Sequence, residues 1–331
     1  MAIDIILPKR IINRIMGKRK YISILLILLI LLLCTKQLVL PNPSPLNSST
    51  KTGAQIHDFN IDSFSSLAIK KALDRPRMFI NNTIIPTLIH QTWRAESITQ
   101  LHPDLTKYVE TFQDKNPYYT YVYWNDDDID EFIQRFFPTS YQQFKTIPVA
   151  VIKADLFRYM VVYIFGGIYA DIDCICLKPA DTWVEGYEGH EIQELIGVEF
   201  YVNDGGVQFL QWAFASAPNT IFLKLVIDGI WARLDSLHET PIEFWNKEVV
   251  AISGPVIWSQ QFLFYLGTKG IYWDVQAFNG FQVPKLFTNK TMVLPVTSFA
   301  AGRDHNGYEI LEEELQYSFI QHRFLGSWKG D

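Results

Sequence analysis

The chain has 331 residues, of which 48% are hydrophobic and 19% charged, and its net charge is -6 at pH 7. This composition supports a full-sized hydrophobic core and excludes a chain that is disordered throughout. The acidic balance argues against a nucleic-acid partner, because phosphate binding needs a clustered excess of Lys and Arg. No disulfide framework is predicted, since Cys34 lies in an apolar segment and Cys174 and Cys176 are only two positions apart.

The N-terminus joins a basic segment to an apolar one. Six Lys and Arg residues within residues 1–20 precede an aliphatic run that begins at Tyr21, and apolar residues continue to Leu40. As a helix, residues 21–40 would cover about 30 Å, the thickness of the hydrocarbon core of a bilayer. No small-residue cleavage site follows. Because positive charge stays in the cytosol, the sequence predicts a single-pass type II protein with an uncleaved signal anchor.

The topology divides the chain into four parts. A cytosolic tail (1–20) and the anchor (21–40) precede a lumenal stem (41–83), which is rich in Pro and Ser and is expected to be extended and solvated. The remaining residues, 84–331, form the folded domain. N-x-[ST] sequons at Asn47, Asn81 and Asn289 lie on the predicted lumenal side and are acceptors for N-glycosylation.

Strand and helix patterns alternate in the folded domain. Strands are predicted at 84–90, 120–124 and 168–170, and helices at 105–115, from a cap at Asn125 or Asp126 to 136, and at 149–165. Further elements are predicted at 196–199 and 207–214, with helices at 221–237 and 255–266. This alternation predicts an α/β fold with a mainly parallel sheet, whose ligands bind beyond the carboxyl ends of the strands.

Asp171 and Asp173 follow the strand at 168–170 and therefore lie at such an end. In extended backbone, residues two apart point to the same side, so both carboxylates can face one cation while Ile172 packs the other way. Hard oxygen ligands suit Mn²⁺ or Mg²⁺. Such a metal could bridge a nucleoside diphosphate and neutralise the charge that develops when a sugar departs. A solvated turn is the alternative interpretation of an isolated D-x-D.

Asp155 and Arg158 lie three residues apart on one face of the helix at 149–165, which leads into the same strand. They could form a hydrogen-bonding fork above the strand end or a simple surface ion pair. For Cys174 and Cys176, which follow Asp173, buried strand thiols are the preferred interpretation over membership of the metal site.

Several runs together resemble a known family. KADLFRY (153–159), GGIYADID (166–173) and LKP (177–179) resemble the D-x-D sugar-binding region of glycosyltransferase family 32. IPTLIHQTW (85–93) is similar to the opening strand of that family, and QHRFLGSWK (321–329) to its closing motif. Within the family, the runs at 197–199, 208–212, 253–255 and 293–299 are most like the fungal initiation-specific α-1,6-mannosyltransferases.

The resemblance implies a GT-A-type nucleotide-diphospho-sugar transferase fold, GDP-mannose as the donor, Mn²⁺ (or Mg²⁺) as cofactor, and retention of anomeric configuration. Asp173 would bind the metal directly, and His322 would complete the metal shell. Asp171 would contact the ribose or the donor sugar and support the metal. Asp155 and Arg158 would hold hydroxyl groups of the donor sugar, so that these two residues and the D-x-D carboxylates carry the catalysis.

Two further groups of residues are assigned to the donor by the same resemblance. Ser327, Trp328 and Lys329 would close over the diphosphate, and His90 or Trp93 would lie near the nucleotide base. One departure concerns the acceptor: residues 217–220 read Ala-Pro-Asn-Thr where many relatives carry Gly-His-Pro. This difference puts the acceptor in doubt and leaves the donor chemistry in place.

Residues 84–331 are thus interpreted as the catalytic domain of an α-1,6-mannosyltransferase that modifies N-linked glycans in the Golgi membrane. One alternative is a mannosyltransferase acting on inositol phosphorylceramide, although no second apolar run of membrane-spanning length follows the first. Another is a catalytically silent carbohydrate-binding member of the fold, against which the intact motif residues count. Metal-dependent hydrolysis is a third. A complex with other mannosyltransferases is compatible with the resemblance.

Overall fold

The computed structural model describes residues 59–202, 206–237, 241–271, 282–301 and 312–325. The strands in these ranges are β1 (Leu88–Thr92), β2 (Thr120–Trp124), β3 (Gly167–Ala170), β4 (Cys174–Cys176), β5 (Glu194–Val202), β6 (Gly206–Ser216), β7 (Lys285–Leu286), β8 (Thr291–Leu294) and β9 (Ile320–His322). The α-helices are α1 (Leu67–Leu73), α2 (Pro103–Lys115), α3 (Asp126–Phe136), α4 (Tyr141–Thr146), α5 (Ala150–Phe165), α6 (Ile221–Ser236), α7 (Ile242–Ile252), α8 (Pro255–Thr268) and α9 (Val296–Phe299).

Seven strands form the central sheet in the order β2-β1-β3-β6-β5-β8-β7. The pairs β1–β2, β1–β3 and β5–β8 are parallel, whereas β6 and β7 are antiparallel to their neighbours. Five of the seven strands therefore point the same way, and the sheet is mixed and mostly parallel. Strands β4 and β9 form a separate antiparallel pair that joins the segment after Asp173 to the C-terminal region.

Helices cover both faces of the sheet, which explains why strand β1 is buried along its whole length. One hydrophobic cluster contains the apolar side chains of α5, α6, α7 and α8, and the other contains those of α2 and of the segment around Trp183. Eleven of the sixteen residues of α5 are buried. A helix this apolar on all sides belongs in a protein interior, and here its buried residues include Asp155 and Arg158.

A two-glycine turn connects α5 directly to β3. Gly166 and Gly167 adopt φ angles of 67° and 105°, a region that side chains rarely occupy. A Cβ at Gly166 would lie 2.7 Å from Pro218 Cδ, and one at Gly167 would lie 2.6 Å from Leu88 Cβ. No larger residue fits at either position. The two glycines allow the chain to reverse between α5 and β3, so that β3 runs back alongside the helix.

The folded domain begins earlier than the sequence predicts. Phe64, Ile69 and Ala72 are buried in the core, and the Glu131 carboxylate accepts hydrogen bonds from the N–H groups of Ser65 and Ser66. The predicted stem boundary at residue 83 is therefore too late, since at least residues 59–83 belong to the domain. A seven-residue helix such as α1 is too short to show clear periodicity, and its burial comes from tertiary contacts.

The first predicted strand also differs, because β1 begins at Leu88 and not at residue 84. Pro86 has no N–H to contribute to a strand ladder, and the N–H of Ile84 bonds to the carbonyl of Ile192 instead. The remaining predicted strands and helices lie within or close to observed elements. Helices α2, α3, α5, α6 and α8 end or begin within two residues of the predicted bounds.

Among the described residues, one helical stretch, Ile242–Thr268, is long and apolar enough to cross a membrane. It comprises α7 and α8, and 56% of its most apolar window is buried inside the protein, where Trp245, Trp258 and Phe262 join the core. The predicted anchor at 21–40 and the sequon at Asn47 lie outside the described residues and stay predictions. Asn81 and Asn289 are both exposed.

Candidate active site

A cavity of about 900 Å³ opens beyond the carboxyl ends of β1 and β3. This is the position at which open α/β sheets bind their ligands. Its wall is built from side chains of the sheet, of α5 and of the C-terminal segment. The polar and aromatic residues that line it include Trp93, Asp155, Arg158, Asp171, Asp173, Glu199, Gln208, Gln211, Trp212 and His322.

Arg158 connects the helix to the D-x-D motif. Its Nη2 lies 2.8 Å from Asp155 Oδ1 and 3.1 Å from Asp171 Oδ1. Asp155 and Arg158 are only 2% and 4% exposed, which excludes the interpretation as a surface ion pair. Because α5 and β3 are joined by the two-glycine turn, this buried network is a direct product of the local chain geometry.

Neutral side chains complete the network. Arg158 Nη1 donates a hydrogen bond to Gln211 Oε1. Ser253 Oγ donates to Asp155 Oδ2 at 2.6 Å, and the Tyr169 hydroxyl donates to Asp171 Oδ1 at 2.9 Å. Burial raises the pKa of both carboxyl groups, and the adjacent guanidinium opposes that rise. These contacts fix the orientation of the guanidinium plane and leave it facing the cavity.

Asp173 belongs to a second cluster. His322 Nε2 lies 2.9 Å from Asp173 Oδ1, and the N–H of Leu325 donates to Asp173 Oδ2 at 3.0 Å. The β4–β9 register, which pairs Cys174 with His322, brings these distant segments together. Burial works against ionisation of Asp173, but the contacts with His322 and Leu325 outweigh it and lower the pKa of this carboxyl group.

Asp173, Cys174 and His322 offer donor atoms that lie within 4.8 Å of one another. Burial raises the pKa of the Cys174 thiol well above its ordinary value, and a soft thiol suits Mn²⁺ or Mg²⁺ less well than a carboxylate oxygen does. His322 Nδ1 is buried without a hydrogen-bond partner in the described part of the chain. An ionised carboxylate and an imidazole fit a divalent cation such as Mn²⁺. Asp171 is not in this group, and its Oδ1 contacts Arg158 and Tyr169. Its predicted support of the metal stays a prediction.

His90 does not line the cavity, so its assignment to the nucleotide base is wrong. The ring is fully buried between the Gly166 carbonyl, 3.0 Å from Nε2, and Trp124, whose Nε1 donates to Nδ1 at 3.2 Å. Burial lowers the pKa of His90 to about 4, so the ring is neutral at physiological pH. His90 thus stabilises the turn at Gly166 through this hydrogen bond, outside the cavity and within a buried strand.

The other predicted donor residues divide into two groups. Trp93 lines the cavity after β1, and the guanidinium of Arg94 lies 5.5 Å from the centre of its ring. Ser327, Trp328 and Lys329 lie outside the described residues, so their role stays a prediction.

Five cavity or network residues received no individual role from the sequence. They are uncharged or lie in strands without a recognisable pattern: Tyr169, Glu199, Gln208, Gln211 and Ser253. The runs 197–199, 208–212 and 253–255, which carry the family resemblance, were the signal that pointed to four of them. Nothing in those runs distinguished a cavity residue from a core residue, because burial in a mixed sheet is decided by pairing.

Comparison with known proteins agrees with this geometry. The model of the glycosyltransferase sugar-binding region containing the DXD motif matches residues 103–189, which include Asp155, Arg158, Asp171 and Asp173. The initiation-specific α-1,6-mannosyltransferase of Schizosaccharomyces pombe is 30% identical over 264 residues. That match covers 75% of this chain and 64% of the relative, so the chain spans just under two thirds of the relative's length.

Two further proteins show similarity over shorter or more distant matches. Inositol phosphoceramide mannosyltransferase 3 of the same organism is 36% identical over 97 residues, which cover 29% of this chain and 26% of that one. The solved structure of the PaToxG glycosyltransferase is 19% identical and matches with a TM-score of 0.38, covering 56% of this chain and 72% of that one. The chain thus contains, at residues 103–189, a match to the glycosyltransferase sugar-binding region with the DXD motif, and over three quarters of its length it is similar to an α-1,6-mannosyltransferase.

Proposed function

We propose that the chain is a retaining, metal-dependent α-1,6-mannosyltransferase that moves mannose from GDP-mannose to N-linked glycans in the Golgi. The observation that carries this proposal is the buried network of Asp155, Arg158 and Asp171 beside the Asp173–His322 cluster. A planar donor of hydrogen bonds beside residues that could hold a cation supports the proposal, because the transfer of a sugar from a nucleoside diphosphate requires both.

Each side chain has a distinct task in this scheme. Asp173 and His322 hold Mn²⁺, which when bound neutralises the diphosphate charge that develops as the sugar leaves. Asp155 and Arg158 hold hydroxyl groups of the mannose, and Asp171 orients Arg158 and contacts the ribose or the sugar. Trp93 packs on the guanine, and Ser327, Trp328 and Lys329 close over the diphosphate.

The proposed acceptor and location rest on relatives and on topology. Three relatives are named initiation-specific α-1,6-mannosyltransferases, with matches over 264, 284 and 104 residues. The basic tail and apolar segment predict a type II anchor, which would place residues 41–331 in the Golgi lumen with the exposed sequons Asn81 and Asn289.

Mannose transfer to inositol phosphorylceramide is the alternative, supported by the relatives of that name. Their matches, over 97 residues in one case and 187 in another, are shorter than the two long matches to α-1,6-mannosyltransferases, so they support this alternative less. A silent carbohydrate-binding protein is disfavoured, because the network around Arg158 is complete in its hydrogen bonds to both carboxylates.

The test uses the full chain in detergent with Mn²⁺, a panel of nucleotide sugars, and high-mannose glycans or inositol phosphorylceramide as acceptors. GDP-mannose is expected to be the donor and the glycan the acceptor. In calorimetry, GDP should bind more tightly with Mn²⁺ than with EDTA. Asp173→Ala should abolish both transfer and this difference, whereas Asp114→Ala, an exposed carboxylate on α2, should preserve them. Full activity of Asp173→Ala would refute the proposed metal site.

A further inference from the structure

Strands β5 and β6 pair irregularly beside the cavity. The paired residues are Ile196 with Phe214, then Val198 with Phe209, then Phe200 with Gln208. Regular antiparallel pairing advances both strands equally, so β6 carries extra residues between the first two pairs and β5 carries one, Glu199, between the last two. Bulges of this kind bend a strand and redirect its side chains, and they occur often next to active sites.

Contacts outside the ladder hold this irregular segment in place. The N–H of Phe209 donates to the buried Ser259 Oγ at 2.9 Å, and the carbonyl of Trp212 accepts from the N–H of Asp171 at 2.8 Å. Trp212 Nε1 donates to the Phe299 carbonyl at 3.2 Å. The Phe209 N–H, which is released from the ladder, thus has a partner in α8, and the bond from Asp171 ties the segment after β3 to β6. The bulge is a fixed part of the cavity wall.

The bulge directs polar side chains into the cavity. Glu199, Gln208 and Gln211 all line it, in strands whose other residues are largely apolar. Gln208 Nε2 donates to Glu199 Oε2 at 2.6 Å, and Glu199 is 8% exposed. A carboxylate in such a wall is costly to desolvate, and a wall that served only packing would carry apolar side chains here.

The order of strands places these groups relative to the donor. Along the sheet, the cavity residues run from Trp93 after β1, through Asp171 after β3 and Gln211 on β6, to Glu199 on β5. Neighbouring strands are about 4.8 Å apart, so Glu199 lies roughly 10 Å from the line of β3, on the side opposite Trp93. In the proposed function, Trp93 holds the guanine, and Arg158, which bonds to Gln211, holds the transferred sugar. The next position along the sheet, at Glu199, is therefore left for the acceptor.

We infer that Glu199 and Gln208 form the acceptor subsite, in which they hydrogen-bond hydroxyl groups of the sugar that receives the mannose. The inference rests on the proposed function, which assigns the transferred sugar to Asp155 and Arg158. The carboxylate accepts hydrogen bonds from two neighbouring hydroxyls, and the amide holds that carboxylate and offers its oxygen to a third. The ligand class is therefore a polyhydroxylated carbohydrate.

The test measures binding directly and does not depend on transfer. The probe is α-1,6-mannobiose, titrated into the full chain by ligand-observed NMR, with and without Mn²⁺ and the slowly reacting donor analogue GDP-2-deoxy-2-fluoromannose. Glu199→Gln should lower the affinity for the probe roughly tenfold, both with and without Mn²⁺ and the donor analogue, because a charged hydrogen bond is replaced by a neutral one. The affinity for the donor analogue should change less than twofold.

Glu194→Gln is the matched control, since Glu194 is a buried glutamate in the same strand that contacts Thr291 and Tyr265 away from the cavity. It should bind the probe as the unmodified chain does. Equal probe affinity of Glu199→Gln, Glu199→Ala and the unmodified chain would overturn the inference, as would absence of probe binding in the unmodified chain. If Glu199→Gln lost affinity for the probe and for the donor analogue to the same extent, Glu199 would have a structural role, and the inference would be wrong. Failure of the unmodified chain to bind the analogue would count against the proposed donor and leave the probe arm valid.

Discussion

Arg158 contacts two carboxylates and an amide and is almost fully buried in the cavity wall. Its planar guanidinium can satisfy these groups and still offer N–H donors to a ligand, which an ammonium group cannot do in the same geometry. Substitution of Arg158 therefore distinguishes a donor-binding role of this network from a purely structural ion pair.

We expect Arg158→Lys to keep the charge and lose the fork, with a cost of roughly 2–4 kcal/mol in transition-state stabilisation measured as kcat/KM. GDP binding should change much less, since the sugar and not the nucleotide loses its contact. Arg135→Lys is the control, because Arg135 bonds to Ser63 and does not line the cavity, so kcat/KM should stay nearly normal. Near-normal kcat/KM for Arg158→Lys would remove α5 from the donor site.

The turn between α5 and β3 sets the distance between the helix network and the D-x-D carboxylates. Gly167→Ala should destabilise the fold by about 1–3 kcal/mol for the backbone alone, with more from the contact with Leu88. Urea unfolding measures the change. Gly270→Ala is the matched control, since Gly270 has a φ of 75° and open space around it, so it reports the backbone strain without the clash. Equal losses in the two variants would contradict the proposed role of close packing.

Glu194 in strand β5 makes the stability of the folded state depend on pH. Burial raises the pKa of Glu194 to about 7 in the folded chain, above the ordinary value of 4.5, against the opposing hydrogen bonds from Thr291 and Tyr265 and the charges of Lys269 and Lys290. The folded state therefore holds the proton more tightly than the unfolded state. The stability that this proton provides is complete below about pH 4.5 and is lost as the pH rises through about 7.

Glu194→Gln should consequently gain stability relative to the unmodified chain at pH 8, by as much as about 3 kcal/mol, and show little difference at pH 4. Urea unfolding at the two pH values measures this difference. The exposed Glu185→Gln should show no such gain. A pH-independent effect of Glu194→Gln would mean that burial does not hold the proton on this residue.

At the scale of the whole molecule, the order of charged and apolar segments predicts how the chain is placed in a membrane. Protease added to intact microsomes should spare residues 59–331 and digest them only after detergent, because six basic residues precede the apolar run and hold the N-terminus in the cytosol. Carbonate washing should leave the chain in the pellet. Digestion without detergent would contradict the orientation, and release by carbonate would contradict the anchor.

The local elements followed from the sequence where a cap, a glycine pair or a long periodic run marked them. The Asn125 side chain accepts a hydrogen bond from the Asp128 N–H and so caps α3, and Gly166 ends α5. Asp171 and Asp173 were identifiable from their spacing after a buried strand, and Asp155 and Arg158 from their spacing on one helix face together with the family resemblance. The early start of the domain was missed, since α1 gains its burial only from contacts with α3 and the rest of the core.

Tertiary structure decided which of the candidate side chains reach the cavity. His90 and Trp93 lie in one short run, yet His90 is buried because β1 lies between β2 and β3, whereas Trp93 follows the end of that strand and lines the cavity. The pairing of β4 with β9 brings His322 to Asp173 across 149 positions, and the irregular pairing of β5 with β6 turns Glu199 into the cavity. Local sequence determines the type of each element through short-range sterics and periodicity, whereas register and long-range pairing depend on contacts that no single segment contains.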